Sequence, residues 1–316
     1  MRLLFLIFTL CSSLFSVAQE INNYSTLFDV RDSSFTRISY DNDLFVGTDR
    51  YYTQGIGIDV FSYKLRKNPL NKVLFRLKNS DRDRFGIQFR THGCTPTSIL
   101  SDSVLIGDRP YAGVFTFGIV RTSQQTDKHQ RLTSSLDIGM IGPAALGKEI
   151  QTEIHKITGN DLPLGWQHQI KNSPIVNYLL RMDFELLTQR SWFDASWFYA
   201  LKAGTFQTNL STGMNLSIGR KNNAFSPSEN HRFEYYAYYQ GYVTAVGYDA
   251  SLMGGIINRD GYYLRYSEIN PLVMRMHFGL VFAAPHFSIA TDLGFVSKEI
   301  RAGTEHLWGG LRLTFY

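Results

Sequence analysis

The sequence has few cysteines, few prolines and little excess charge. Of 316 residues, 2 are cysteine and 9 are proline, and two cysteines are too few for a disulfide framework. The 32 basic and 27 acidic side chains give a formal charge of +5, which excludes a charged tail protein and a strongly cationic nucleic-acid binder. Beyond residue 18, no apolar run approaches the roughly 20 residues that a membrane helix needs.

Aromatic residues and glycine are abundant instead. The chain has 23 Phe, 18 Tyr and 4 Trp, together 14% of its residues, and 26 Gly. Aromatic side chains fit pleated surfaces, and strong helix formers are in the minority. The composition therefore predicts an all-β protein, and a single domain of this length is common among β-barrels.

The N-terminus has the pattern of a secretory signal peptide. Arg2 precedes an apolar run over residues 3–10, and Ser-Val-Ala at residues 16–18 resembles a cleavage site. The run is too short for a transmembrane anchor. We therefore expect residues 1–18 to be a signal peptide and residues 19–316 to form one mature domain.

Removal of that peptide would leave one cysteine, Cys94, and a charge of roughly +4. No intramolecular disulfide is then possible. Because Cys94 lies at the end of a predicted strand, we expect a buried, unreactive thiol.

Alternation of apolar and polar residues predicts twelve strands. In one segment Phe287, Ile289 and Leu293 share a face, and Ser288 and Asp292 lie on the opposite one. The twelve segments lie near residues 36–45, 51–63, 83–93, 110–122, 130–142, 174–189, 192–206, 209–220, 232–246, 267–282, 286–299 and 306–316. Most have the length of a tilted membrane strand, so we expect an antiparallel transmembrane β-barrel.

A secreted β-sandwich is the main alternative for such a pattern. Arg312 alternates with Leu311 and Leu313, and an inward arginine suits a polar barrel lumen better than an apolar sandwich core. Aromatic clusters at segment ends, such as Tyr51-Tyr52, are typical of the girdles at membrane interfaces. The chain ends on Phe315-Tyr316, which is similar to the terminal aromatic of bacterial outer-membrane barrels.

Strand parity assigns each connection to a side of the membrane. If the mature N-terminus starts in the periplasm, the loops at 46–50, 94–109, 143–173, 247–266 and 300–305 are extracellular, and the turns at 189–191 and 284–286 are periplasmic. The connection 64–82 is long for a periplasmic turn and carries basic side chains at Lys64, Arg66, Lys67, Lys72, Arg76 and Lys78. We interpret it as a solvated segment or one that faces the inner headgroups.

A helix is predicted over residues 148–158. Ile150, Ile154 and Ile157 share one side of it, and Gln151 and His155 form an adjacent stripe. We expect the isoleucines to pack down and the Gln151–His155 pair to face a cleft. Gly159 should end the helix.

Several polar groups fall at the same outward rim. Asn42-Asp43 ends the first strand, Thr53 lies near the top of the second, and Asp108-Arg109 precede the fourth. The carboxylate of Asp161 is close enough to reach back to the imidazole of His155. Together they could activate water, or a hydroxyl nucleophile with a basic partner.

The order and spacing of these motifs resemble the outer-membrane lipid A 3′-O-deacylase family. The similarity extends from about residue 36 to the C-terminus. The motifs that carry it are Asp41-Asn42-Asp43, Thr48 to Gly55, Gly107-Asp108-Arg109-Pro110-Tyr111-Ala112-Gly113, Ile141-Gly142-Pro143 followed by Gly147 to His155, and Gly165-Trp166-Gln167-His168-Gln169.

The resemblance implies a calcium-dependent enzyme that removes the 3′-linked acyloxyacyl chain of lipid A. It assigns His155 as general base, Asp161 as its orienting partner, and Thr53 and Gln151 to substrate or oxyanion contacts; a covalent Thr53 ester is the alternative. Ca²⁺ is assigned to Asp43 and Asn42, with further ligands from backbone, water or lipid. Asp161 stands where the family has glutamate, a longer side chain.

The implied localisation is the bacterial outer membrane, with the active site facing the outer leaflet. The implied partners are lipid A or lipopolysaccharide and the membrane itself, and we expect a monomer that does not bind nucleic acid. Two other functions remain open: a barrel or pore without catalysis, and a phospholipase acting on glycerophospholipids. The sequence contains no G-x-S-x-G elbow, which would have favoured the phospholipase.

Overall fold

A computed structural model describes residues 34–48, 50–187, 192–222, 225 and 233–316. These residues form one closed barrel of twelve antiparallel strands in sequence order, in which the first strand pairs with the last. The predicted signal peptide and the predicted turn at 189–191 lie outside the described residues.

All twelve predicted segments contain a strand of the barrel. The strands are β1 (Phe35–Asn42), β2 (Tyr51–Phe61), β3 (Arg82–Thr95), β4 (Ala112–Gln125), β5 (Gln130–Ile141), β6 (Ser173–Glu185), β7 (Phe193–Gly204), β8 (Gln207–Arg220), β9 (Glu234–Asp249), β10 (Leu272–Ala283), β11 (Phe287–Val296) and β12 (His306–Phe315). The predicted fold class is confirmed, with bounds that differ by a few residues.

The two faces of the barrel wall have opposite character. Ile289 and Leu293 of β11 are 39% and 41% exposed, but Ser288 and Asp292 on the opposite face are buried. On β12 Arg312 is buried in the lumen, as its position in the alternation predicts. The outer wall is thus apolar and the interior polar, the arrangement of a membrane-embedded barrel.

Charged side chains in the lumen are paired with one another. Arg312 of β12 lies 3.2 Å from Asp292 and donates to the hydroxyl of Tyr238 on β9 at 2.9 Å. Arg181 and Asp183 of β6 form a second buried pair at 2.7 Å. Pairing offsets the cost of removing these charges from water, so the interior is a packed polar core.

One rim carries both α-helices of the described residues, and we call it the helix-bearing rim. It includes α1 (Gly147–Thr158) and the short α2 (Ala250–Met253). Gly159, with φ of 73°, ends α1 as predicted. Among the described residues, no helix is long and apolar enough to span a bilayer.

Helix α1 rests on the outer wall of the barrel because two glycines allow close approach. A Cβ at Gly113 of β4 would lie 3.0 Å from the main-chain nitrogen of Gly147, and one at Gly147 would lie 2.9 Å from the Cα of Gly113. Side chains at either position would push the helix away. The helix is therefore fixed against the same outer surface that elsewhere is apolar.

The prediction that the isoleucines of α1 pack down is wrong for Ile157, whereas Ile150 and Ile154 are half-buried. Gln151 and His155 are buried against the barrel, and Ile157 is 84% exposed. The isoleucines were expected to pack down, as they would in a water-soluble protein. On the outer wall of a membrane barrel the surroundings are lipid, so apolar side chains face outward and polar ones pair against the protein.

Candidate active site

His155 lies in the last turn of α1 and is held by a main-chain oxygen. Its Nδ1 is 2.5 Å from the carbonyl oxygen of Asp161. A carbonyl can only accept a hydrogen bond, so Nδ1 carries a proton, and in the neutral form of the ring Nε2 is the basic nitrogen. The neutral ring in this tautomer can take a proton from water at Nε2.

This contact differs from the one predicted for Asp161, whose role in catalysis stays a prediction. The carboxylate was expected to orient the imidazole, but the main-chain carbonyl does so, and the Asp161 side chain is exposed. A carbonyl supplied by the backbone does not depend on side-chain length. The contact is therefore independent of which side chain stands at residue 161.

Thr53 reaches the site through a β-bulge. Tyr52 pairs with Cys94 but Gln54 pairs with Gly93, so Thr53 is the extra residue between them. Strict alternation places Thr53 on the lumen face with Asp59. The bulge instead turns it to the outer wall, where a Cβ on Gly93 would lie 3.1 Å from its methyl group.

A buried hydrogen-bond chain fixes the side chains of Thr53 and Gln151. The indole Nε1 of Trp166 donates to Oε1 of Gln151 at 2.7 Å, and Nε2 of Gln151 donates to Oγ1 of Thr53 at 3.0 Å. This hydrogen-bond chain fixes the orientation of the Gln151 amide, because the indole of Trp166 can only donate. The Thr53 hydroxyl, having accepted one bond, keeps its own hydrogen to donate elsewhere.

Asp43 begins a short 3-10 turn (Asp43–Val46) directly after β1. Its Oδ2 accepts the main-chain N–H of Arg50 at 2.7 Å and lies 3.4 Å from the hydroxyl of Thr48. The neighbouring Asn42 donates from Nδ2 to the hydroxyl of Tyr40 at 2.9 Å. That bond assigns the nitrogen of the Asn42 amide to the Tyr40 side and its carbonyl oxygen to the opposite side.

A cleft of about 400 Å³ joins these two parts of the rim. Its lining includes Gly47 and Thr48 on one side, Ile99 and Leu100 on a second, and Asp161 on a third. Thr48 contacts the Asp43 carboxylate and Asp161 contacts the His155 imidazole. Asp43 and His155 are therefore not in the lining of the cleft, but each contacts a residue that is.

Asp108 and Arg109, predicted at the same rim, have other roles. Oδ2 of Asp108 accepts the main-chain N–H of Thr97 at 2.8 Å and so fixes the loop that lines the cleft. The hydroxyl of Tyr262 donates to the Asp108 carbonyl at 2.9 Å, and burial raises the pKa of Tyr262, which keeps this donor protonated. Arg109 points into the barrel, where it pairs with Glu299.

Cys94 is buried, as predicted, with its sulfur 3.3 Å from a guanidinium nitrogen of Arg109. It faces the lumen in a cluster with Ala112, Val114 and Ile141. This position separates it from the outer-wall cleft, so the thiol contributes packing.

The oxygen donors near Asp43 fit the chemistry of calcium only in part. A carboxylate, the Asn42 carbonyl and the Thr48 hydroxyl are hard ligands of the kind that Ca²⁺ prefers. In the described part of the chain, no group of three or more His, Cys, Asp or Glu side chains is placed to hold a metal ion. A calcium ion at Asp43 would therefore need backbone, water or lipid oxygens to complete its shell.

Trp166 is a site residue that the sequence reasoning did not single out. It is 1% exposed and packs 5.0 Å from the ring of Tyr111. The residue belongs to one of the quoted motifs, Gly165 to Gln169, but nothing in that spacing shows that its indole reaches Gln151. The signal that could have found it is a tryptophan in the segment that follows the helix carrying Gln151.

A family model described as outer membrane protein LpxR matches residues 3–316. The structure is similar to LpxR from Salmonella typhimurium, with a TM-score of 0.72 and 18% identity over 90% of this chain and 100% of that one. The beta domain of the Bordetella autotransporter Brka covers 90% of this chain and 99% of its own, at a TM-score of 0.44 and 8% identity.

A search of the curated proteins finds no match. The match to the family model spans nearly the whole chain and includes every residue of the cleft. The chain therefore belongs to the family of the outer membrane protein LpxR.

Proposed function

We propose that this protein is an outer-membrane ester hydrolase that removes the 3′-linked acyloxyacyl chain of lipid A in the outer leaflet. The observation that carries the proposal is the position of His155, Gln151 and Thr53 on the outer wall of the barrel, between the wall and α1. A substrate that stays in the membrane can reach such a site sideways, without entering the lumen. Strand parity with a periplasmic N-terminus assigns this rim to the extracellular side.

The chemistry proposed for the site is general-base hydrolysis. The Asp161 carbonyl holds Nδ1 of His155, so Nε2 takes a proton from the attacking water and later returns it to the leaving hydroxyl. The Thr53 hydroxyl donates to the ester oxygen as negative charge develops there, and the chain from Trp166 through Gln151 keeps that hydroxyl in place.

Asp43, Asn42 and Thr48 are the residues that would hold calcium. Calcium bound there would stabilise the oxyanion as a Lewis acid. The Asp43 carboxylate is already positioned by the N–H of Arg50, so its direction does not depend on the ion. Thr53 fits the covalent alternative less well, because the contact with its oxygen comes from a carboxamide, which cannot take its proton.

The other two candidate functions have less support in the structure. A pore needs an open lumen, but here buried side chains reach across it: Arg312 of β12 donates to Tyr238 of β9, and Arg109, before β4, pairs with Glu299, after β11. A phospholipase and a lipid A deacylase would share the same outer-wall cleft, and substrate is what distinguishes them. We therefore keep phospholipid hydrolysis as the alternative that the assays include.

Mass spectrometry of lipid A from cells that express the protein tests the proposal. Wild type should remove a mass equal to one acyloxyacyl group, and His155→Ala, Asp43→Ala or a calcium chelator should abolish the loss. His168→Ala is a matched control, because His168 also contacts a main-chain carbonyl, that of Asp102 at 2.8 Å, but lies outside the proposed chemistry. Unchanged lipid A with a folded, inserted wild-type barrel would contradict the proposal.

A further inference from the structure

The connection between β2 and β3 runs along the outer wall of the barrel at the rim opposite to α1. The main-chain N–H of Phe75 donates to the hydroxyl of Tyr178 on β6 at 3.0 Å. The hydroxyl of Ser134 on β5 donates to the Phe75 carbonyl at 2.9 Å, and the N–H of Leu77 donates to Ser123 on β4 at 3.1 Å. The segment is thus bound to three successive strands.

These anchoring side chains belong to the lipid-facing side of the wall. Ser134 shares its face of β5 with Ile138, which is 57% exposed, and Ser123 shares its face of β4 with Phe117, which is 55% exposed. The segment adds exposed apolar side chains of its own, namely Tyr63, Leu70, Val73 and Phe75. Apolar side chains beside basic ones are typical of a segment that lies in a membrane interface.

Between this segment and the start of β3 lies a pocket of about 530 Å³, which we call the arginine pocket. Its charged lining is Arg66, Arg76, Arg82, Arg84 and Arg121, with Asp81 and Asp83. Arg121 is paired with Asp83 at 2.7 Å, and Arg66 donates to the hydroxyl of Tyr63 at 2.8 Å. Arg76 and Arg82 are exposed, and the five guanidinium groups outnumber the two carboxylates.

We propose that the arginine pocket binds the phosphate of an anionic glycerophospholipid. Guanidinium groups match phosphate oxygens with paired, charge-assisted hydrogen bonds. Phe85 lines the pocket, and Ile87, two residues farther along the outer face of β3, is 43% exposed. Acyl chains can therefore follow the apolar wall away from the bound phosphate.

Which leaflet the arginine pocket faces rests on the orientation assumed in the proposed function. The ability of the pocket to bind phosphate does not rest on that orientation. With α1 outside, the arginine pocket lies at the periplasmic side, where the membrane consists of phospholipid. The pocket would then fix the depth and tilt of the barrel from the inner leaflet, because basic side chains at that level attract anionic headgroups.

Native mass spectrometry of the full chain in detergent tests the assignment. The probes are phosphatidylglycerol, phosphatidylethanolamine, lipid A and inorganic phosphate. We expect phosphatidylglycerol to remain bound. Arg76→Gln with Arg82→Gln should weaken it about tenfold or more, since each lost charge-assisted bond lowers affinity by roughly that factor.

Lys67→Gln with Lys72→Gln is the matched control. Both lysines are exposed on the same segment but do not line the pocket, so this variant removes equal charge and should retain phosphatidylglycerol. Equal losses in the two double variants would overturn the proposal in favour of diffuse surface charge. Binding of inorganic phosphate or lipid A in preference to phosphatidylglycerol would overturn the lipid class.

Folding and deacylase activity are measured separately from lipid binding. The heat-dependent gel shift of the barrel shows whether each variant is folded, and the pocket is remote from the cleft at the helix-bearing rim. A pocket variant that loses phosphatidylglycerol and keeps the deacylase rate supports the pocket. A protein without deacylase activity that still binds phosphatidylglycerol refutes only the proposed function.

Discussion

The substitution Trp166→Phe removes one hydrogen-bond donor from the site and little else. The indole Nε1 donates to Oε1 of Gln151 at 2.7 Å, and both side chains are at most 1% exposed. Loss of the donor leaves a buried amide oxygen without its partner, which costs about 1–3 kcal/mol. The Gln151 amide can relieve that cost only by rotating, which breaks its bond to Thr53.

If the bond between Gln151 and Thr53 orients the Thr53 hydroxyl in the transition state, the activation free energy rises by the same amount. A loss of about 1–3 kcal/mol corresponds to a rate lower by roughly 5- to 150-fold. The assay is the initial rate of fatty acid release from lipid A by purified protein in detergent, read by mass spectrometry. Folding is checked by the heat-dependent gel shift.

Trp308→Phe is the matched control for the loss of buried volume. Trp308 is also 1% exposed, but it faces the lumen in a cluster with Tyr52 and Val273. It should reduce stability and leave the rate of the folded protein within about twofold of wild type. A wild-type rate in Trp166→Phe, or an equal loss of rate in Trp308→Phe, would refute the role of the hydrogen-bond chain from Trp166 to Thr53.

Substitutions at three other positions test the site, the helix contact and the lipid-facing wall separately. Thr53→Val should lower the rate about 10- to 1,000-fold and Thr53→Ser much less, because only the hydroxyl donates to the oxyanion; equal rates for the two variants in the same assay would argue against this role. Gly113→Val should displace α1, since even a Cβ there lies 3.0 Å from Gly147, and so abolish activity in a barrel that still shows the gel shift; a normal rate would mean that the close approach is dispensable. Ile38→Lys should lower the free energy of unfolding in bilayers by about 2–4 kcal/mol, because Ile38 is 44% exposed on the outer wall, whereas Ile38→Val should have little effect; urea titration measures both, and equal stabilities would contradict the lipid-facing assignment.

The barrel could be predicted from the sequence because its alternation has a period of two. Side chains such as Ile289 and Asp292 must face lipid and lumen respectively, and twelve such segments leave few other closed architectures. The end of α1 at Gly159 was predictable for a similar reason, since glycine readily adopts the positive φ of 73° found there.

The site was predicted less completely, because it depends on departures from regular periodicity. The bulge at Thr53 shifts one residue from the lumen face to the outer wall, and alternation alone gives the opposite result. The burial of Gln151 and His155 on α1 depends on lipid outside the helix, which the helical period does not encode. The contact of His155 with the Asp161 carbonyl is a main-chain interaction, so it cannot be predicted from the residue type at position 161.

Purified protein acting on two membrane substrates tests the central claim most directly. Wild type and the His155→Ala variant are incubated separately with lipid A and with phosphatidylglycerol in the presence of calcium, and the products are identified by mass spectrometry. The account predicts that wild type releases one acyloxyacyl chain from the 3′ position of lipid A, leaves phosphatidylglycerol intact, and loses this activity with His155. Release of fatty acid from phosphatidylglycerol with lipid A unchanged, or full activity in His155→Ala, would contradict it.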